Sequence, residues 1–161
     1  MSDSDTPKYS PTEDVPSVEQ QKINALNKLA DYLARRDHST LELTSKLRQK
    51  GYSQEIINWA VSEAEERRWL SDPYELSERV SATLHRKDRG ILYINRYLQE
   101  KGLPPVEKDF DLERQKALRV IERKLNKVGN LSYAEKQKAY KYLSYRGFDD
   151  ETTKKVIYEK S

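Results

Sequence analysis

Three segments of this chain, LTSKLRQKGYS, INRYLQEKGLP and AYKYLSYRGFD, align on their glycines, and that register limits the fold more than any other feature. A leucine stands four residues before each glycine (Leu47, Leu98, Leu143), and an apolar residue stands eight before (Leu43, Ile94, Ala139). The residue just before is basic (Lys50, Lys101, Arg146), and the one just after is large and apolar (Tyr52, Leu103, Phe148). A helix that ends in a left-handed glycine brings its third-from-last position against the second residue beyond it, the Schellman arrangement. The spacing therefore predicts contacts of Leu47 with Tyr52, Leu98 with Leu103 and Leu143 with Phe148, each closing a helix–turn–helix corner. The glycines lie 51 and then 45 positions apart, enough for about three short helices per unit. A tandem helical array follows, in which neighbouring units bury one another's faces. Three unrelated glycine-capped helices would also show such ends, but not four matching positions in each.

The rest of the chain reads as helix. Ile23, Leu26, Leu29, Ala30 and Leu33 recur at three- and four-residue steps and predict one apolar face. Ser39 to Glu42 forms a capping box that opens a second helix, and Ser53 caps a third with Ile56, Ile57, Ala60, Val61 and Ala64 inward. Asp72 and Pro73 start a fourth, and Gly90 opens a fifth that runs to Lys101. Pro104-Pro105 then breaks the chain, so any helix between Val106 and Phe110 is short. A long amphipathic stretch from Asp111 to about Lys127 stops at Gly129-Asn130. A capping box at Ser132 to Glu135 opens the next helix, and the last begins at Asp149 or Asp150. No segment alternates with period two long enough to make a strand. The fold class is all-α.

Composition closes off several kinds of chemistry. The chain has no cysteine, hence no disulfide, thiolate metal site or cysteine nucleophile. It has no apolar run long enough to span a membrane and no secretory signal, which sets a soluble, cytoplasmic expectation. No Gly-rich phosphate loop of the Walker type is present, so ATP hydrolysis by this chain is not expected. Its two histidines, His38 and His85, cannot complete a zinc site; His38, beside a capping serine, reads as a surface or cap residue. The pairs Glu65-Glu66 and Asp149-Asp150 lie at helix ends and suit cap and dipole roles. No catalytic residue, cofactor or metal is expected.

Charge is unevenly placed. Residues 1–16 carry four acids against one lysine together with three prolines, and read as a disordered tail. The net charge of +3 leaves +6 for the remainder, and +5 of that falls in residues 111–161. Lys50, Lys101 and Arg146 recur at one place in each corner, so a superhelix would set them in a row able to follow a phosphate backbone. The same cations also stabilise their helix C-termini through the macrodipole, and both roles can hold. Arg86, Lys87, Arg89 and Arg96 cluster around the start of the fifth helix, and Arg48 lies near Lys50. Lys136, Lys138, Lys141 and Arg146 interleave with Tyr133, Tyr140, Tyr142 and Tyr145. Basic residues among aromatics suit single-stranded DNA through phosphate contact and base stacking. Tyrosines at helical spacing equally suit a core with the hydroxyl at its rim. The expected binding set is Arg48, Lys50, Arg86, Lys87, Arg89, Arg96, Lys101, Lys138, Lys141 and Arg146.

These residues resemble the RecX family. Arg36-Asp37-His38-Ser39-Thr40-Leu41-Glu42-Leu43, with Lys46-Leu47 and Lys50-Gly51, is similar to its first-repeat motif. Trp69-Leu70-Ser71-Asp72 resembles the link into the second repeat, and Arg89-Gly90, Ile94 to Leu98 and Lys101-Gly102 resemble the second-repeat helix. Lys138, Tyr142-Leu143 and Arg146-Gly147-Phe148 resemble the third. The resemblance covers roughly residues 20–160 and implies an elongated, curved molecule of three three-helix repeats: 17–70, 71–110 with its third helix short or irregular, and 111–161. It further implies a monomeric, non-enzymatic regulator that lies in the groove of the RecA–single-stranded DNA filament. Such a regulator restrains ATP hydrolysis, strand exchange and co-protease activity, in DNA repair and the SOS response. The rival classes are a stand-alone helical nucleic-acid-binding module and a plain α-solenoid scaffold.

Overall fold

In a computed structural model, residues 15–127 and 129–159 are described, so the expected tail lies outside them save for Val15 and Pro16. The described residues form eight α-helices and no strand. Contacts divide the chain into two compact units, Met1–Ser71 and Asp72–Ser161.

The first unit holds α1 (Val18–Arg35), α2 (Thr40–Gln49) and α3 (Gln54–Glu66). Each begins at a serine, Ser17, Ser39 or Ser53, whose hydroxyl accepts an amide three residues on. Glu42 completes the capping box at Ser39 and also meets the Arg36 guanidinium at 2.7 Å. Ala25, Leu29, Tyr32, Leu43, Leu47, Ile56, Ile57, Ala60, Val61 and Ala64 make one core, with Tyr52 and Trp59 packed on it. The apolar face of α1 differs from the expected one. Its buried residues are Ala25, Leu26, Leu29 and Tyr32, while Ile23 is half exposed. Leu26 and Leu29 are buried and Leu33 packs against this core as expected, so the departure is at Ile23, with Ala25 and Tyr32 buried in addition.

The second unit holds α4 (Pro73–Arg86), α5 (Ile91–Glu100), α6 (Phe110–Leu125), α7 (Tyr133–Tyr145) and α8 (Asp150–Tyr158). It has two apolar clusters. Leu76, Leu84, Ile94, Leu98 and Leu103 join α4 to α5. Ala117, Val120, Ile121, Ala139, Leu143, Phe148 and Ile157 join α6, α7 and α8. Residues 103–109 form no helix, as the two prolines dictate. Side chains pin this strap instead. Ser77 Oγ donates to the Pro104 carbonyl at 2.7 Å, and the Asn95 amide pairs both ways with the Val106 backbone at 2.9 and 3.1 Å. At its end Lys108 meets Asp149 at 2.6 Å.

All three glycine corners have the expected geometry. Tyr52, Leu103 and Phe148 donate their amides to the carbonyls of Leu47, Leu98 and Leu143 at 3.3, 2.8 and 3.0 Å. Gly51, Gly102 and Gly147 have φ of +94°, +69° and +94°, and each apolar pair shares one core. Two further corners repeat the pattern without glycine. Trp69 donates to Ala64, with Arg68 at φ +57°, and Arg89 donates to Leu84, with Asp88 at φ +54°. The long sixth helix ends earlier than its glycine suggests. It stops at Leu125 because Asn126 takes the left-handed conformation, which asparagine tolerates, and donates to Glu122.

Candidate partner-binding surface

Charged side chains of the second unit converge on the corner between α4 and α5. Asp88 is 4% exposed despite its charge. Its carboxylate accepts Arg119 Nη2 at 3.0 Å and Nε at 3.3 Å on one oxygen, and Arg123 Nη1 at 2.9 Å on the other. Arg119 and Arg123 are one turn apart on α6, so they leave the same helix face. Burial on its own would raise the Asp88 pKa; the hydrogen bonds from both arginines overcome that and hold it below the usual aspartate value. Arg146, the C-cap of α7, sends Nη2 to the carbonyls of Lys87 at 2.5 Å and Asp88 at 3.2 Å. Three arginines thus grip residues 87 and 88.

The helix that leaves this corner has no side-chain cap, because its N-cap is Gly90. Its first amides are satisfied from other elements. Gly90 N–H donates to the Arg146 carbonyl at 3.0 Å and Leu92 N–H to the Gly147 carbonyl at 2.9 Å. The Ile91 amide faces the carboxylate of Glu113. Glu113 is itself buried with Lys116, their side chains 1% and 0% exposed and 3.0 Å apart. Neither oxygen of Glu113 has a well-aligned hydrogen bond, so the Coulombic attraction of Lys116 is its main support. Lys116 also donates to the Arg89 carbonyl at 2.7 Å and approaches His85 Nδ1 at 2.8 Å. Burial pushes the Glu113 pKa up and that of Lys116 down, each opposed by the partner's charge. Burial, and then the charge of Lys116, pushes His85 down as well. A neutral His85 that accepts at Nδ1 carries its proton on Nε2.

His38 is a buried residue, 4% exposed, where the sequence suggests a surface or cap position. Its Nδ1 lies 3.0 Å from the Arg36 carbonyl, to which it donates, leaving Nε2 to accept Lys46 Nζ at 2.8 Å. Its ring sits 5.8 Å from that of Tyr32, and burial pulls its pKa below the ordinary value.

The structure gives the sequence-derived cations differing surroundings. Arg48, Lys50, Arg86, Lys87, Arg96, Lys138 and Lys141 are exposed. Arg48 reaches Gln54 and Arg86 reaches Thr83. Arg89 is half-buried with its guanidinium 4.5 Å from the Tyr93 ring centre, and Lys101 is half-buried with its ammonium 5.5 Å from that of Tyr97. Lys50, Lys101 and Arg146 are all C-caps, as the dipole explanation requires, and so are Lys87 and Arg67. Of the three equivalent positions, Arg146 grips another corner through the Lys87 and Asp88 carbonyls. Arg119 and Arg123 are absent from the sequence-derived set. Their signal was Leu84, four residues before Asp88, which marks a hidden corner needing partners.

Residues 25–63 match the family model of the first three-helix domain of RecX, and residues 111–157 match that of the third. The regulatory protein RecX of Legionella pneumophila (strain Corby) is 34% identical over 133 residues, 79% of this chain and 88% of that protein. Its counterpart from Chlorobaculum tepidum is 31% identical over 144 residues, 86% and 89% of the two chains. The crystal structure of RecX from Lactobacillus salivarius has the same fold, with a TM-score of 0.74 at 18% identity over 86% of this chain and 96% of that one. With both of its outer helical domains matched and similarity running through both compact units, the chain belongs to the RecX family.

Proposed function

We propose that this chain is a non-enzymatic regulator that binds the RecA–single-stranded DNA filament and lowers its ATP hydrolysis, strand exchange and co-protease activity. The observation that carries this reading is the similarity to proteins named regulatory protein RecX over about four fifths of the chain. The form of binding follows from the surface. Among the described residues, exposed cations on every helix or its cap suit many weak contacts spread along a polyanionic assembly, and such contacts weaken with salt. The protein acts as a monomer in the cytoplasm, where RecA works on DNA, and it needs no cofactor.

The test is RecA's single-stranded-DNA-dependent ATPase with and without this protein. Inhibition that fades as salt rises is expected; unchanged hydrolysis at saturating protein would sink the reading. Arg96→Glu together with Lys141→Glu, both exposed, should weaken inhibition without lowering the melting temperature. Full inhibition by that pair would remove these two residues from the contact set. Equal affinity for a DNA duplex and for the filament would favour a stand-alone nucleic-acid-binding module instead.

A further inference from the structure

The arginines around Asp88 do more than hold a corner together. Arg119 and Arg123 have side chains 48% and 61% exposed, while the carboxylate that fixes them is 6% exposed. Each guanidinium has five N–H donors, and Asp88 engages one or two of them on each, so a fork of donors on both arginines faces outward. The single carboxylate is shared between two guanidinium groups, and its two oxygens are already engaged. Arg146 spends its hydrogen bonds on uncharged carbonyls, which neutralise nothing. Exposed Arg86 and Lys87 precede Asp88 in the same corner. Arg119, Arg123 and Arg146 therefore meet at one corner around a single buried carboxylate. Asp88 itself takes φ +54° as the left-handed residue that ends α4, a conformation aspartate tolerates, and this turns its carboxylate toward α6.

We infer that Arg119 and Arg123, positioned by Asp88, form a phosphodiester-binding site through which this chain contacts single-stranded DNA directly. Fixed guanidinium forks match pairs of phosphate oxygens and lose little rotamer freedom on binding. A lone carboxylate on a protein surface would engage one of these cations; a strand with regularly spaced phosphates engages several together. This inference adds to the filament reading a contact with the DNA itself. Its binding assay contains no RecA, so either reading can fail without the other.

The assay is binding of a fluorescent oligothymidine to the full chain by anisotropy, across a salt series. Arg119→Gln with Arg123→Gln should lower affinity at least tenfold at low salt. It should also reduce the slope of log K against log salt by about 1.4, two phosphate contacts at about 0.7 each on a single strand. Lys22→Gln with Lys28→Gln removes the same charge from the first unit and should leave the slope unchanged. Arg119→Lys with Arg123→Lys keeps the charge but loses the fork, and should recover most of the slope with only part of the affinity. Melting temperatures show which variants are folded, and Arg→Lys serves if the Gln pair unfolds. The proposal is overturned if the wild-type chain binds no oligothymidine at low salt. It is equally overturned if the Lys22/Lys28 pair costs as much slope, or if the Arg→Lys pair binds like wild type. If oligothymidine binding is absent while the arginine variants still lose RecA inhibition, the forks serve an acidic protein face.

Discussion

Gly90 and Gly147 face each other so closely that three alanine substitutions can separate backbone conformation from packing. A Cβ built on Gly90 would stand 2.3 Å from the Gly147 carbonyl carbon and the Phe148 nitrogen. One built on Gly147 would stand 2.3 Å from Tyr93 Cβ and 2.6 Å from its nitrogen. One built on Gly51 would meet nothing within 4 Å, although Gly51 and Gly147 share a φ of +94°. Gly51→Ala thus carries a conformational cost alone, about 1–2 kcal/mol. Gly90 has φ −77°, ordinary for alanine, so Gly90→Ala carries packing cost alone. To reach van der Waals distance the two corners must part by roughly 1 Å, enough to break the Gly90–Arg146 and Leu92–Gly147 hydrogen bonds. Two such bonds contribute about 1–3 kcal/mol, and overpacking a close contact adds about 1–3 more. Gly90→Ala should therefore cost about 2–6 kcal/mol. Gly147→Ala bears both kinds of cost and should reach about 3–8 kcal/mol, with the double variant well short of the sum because one separation relieves both clashes. Urea unfolding by far-UV circular dichroism measures the second unit's variants. The fluorescence of Trp59 and Trp69, the chain's two tryptophans and both in the first unit, measures Gly51→Ala. A Gly90→Ala variant milder than Gly51→Ala would refute the close approach.

Two further perturbations bear on buried charge. His38 has a depressed pKa, so below about pH 6.5 the unfolded chain binds a proton that the folded chain resists. Its contribution to stability is complete above that pH and falls as the pH drops toward the folded-state value. The melting temperature should decline between pH 7 and 5.5, and His38→Gln, which keeps one donor and one acceptor, should flatten that decline; an unchanged slope would mean that His38 does not titrate there. Lys116→Ala strands the buried Glu113 carboxylate and should cost about 3–5 kcal/mol in denaturant unfolding. A cost under 1 kcal/mol would show that the pair is hydrated.

The helices and the three glycine corners were legible because both are written locally. Ser39, Ser53, Asp72 and Ser132 cap the helices they announce, and Pro104-Pro105 keeps residues 103–109 out of a helix. The corners at Arg68 and Asp88 escaped because they use left-handed residues other than glycine, and only the apolar residue four positions earlier marks them. Lys116 and Glu113 look like an ordinary solvated pair at i, i+3; what buries them is the α4–α5 corner, whose His85 is 31 residues away. Arg119 and Arg123 escaped for the same reason, since Asp88 is 31 and 35 residues back. Local chemistry fixes where helices start and stop, whereas these partnerships exist only once distant corners meet.

That distinction matters most where the α4–α5 pair meets the α6–α8 group. The buried apolar clusters of these two groups are separate, so no continuous apolar core sets their mutual orientation. What joins them is directional: two backbone hydrogen bonds at Gly90 and Leu92, the grip of Arg119, Arg123 and Arg146 on residues 87 and 88, and the buried Glu113–Lys116 pair. Oil-like contacts tolerate sliding, but hydrogen bonds weaken steeply with angle, so this junction trades apolar area for a fixed angle. Replacing both ions by similar apolar shapes, Glu113→Leu with Lys116→Met, separates the two roles. Stability should change little, because the two desolvated charges that are gone offset the Lys116 donor lost to the Arg89 carbonyl and His85. If the pair also orients the groups, hydrogen-exchange protection of the Gly90 and Leu92 amides should fall at least tenfold in the same protein. Protection equal to wild type would show that the backbone bonds and the three arginines set the angle without the ion pair, which then only fills the space between them.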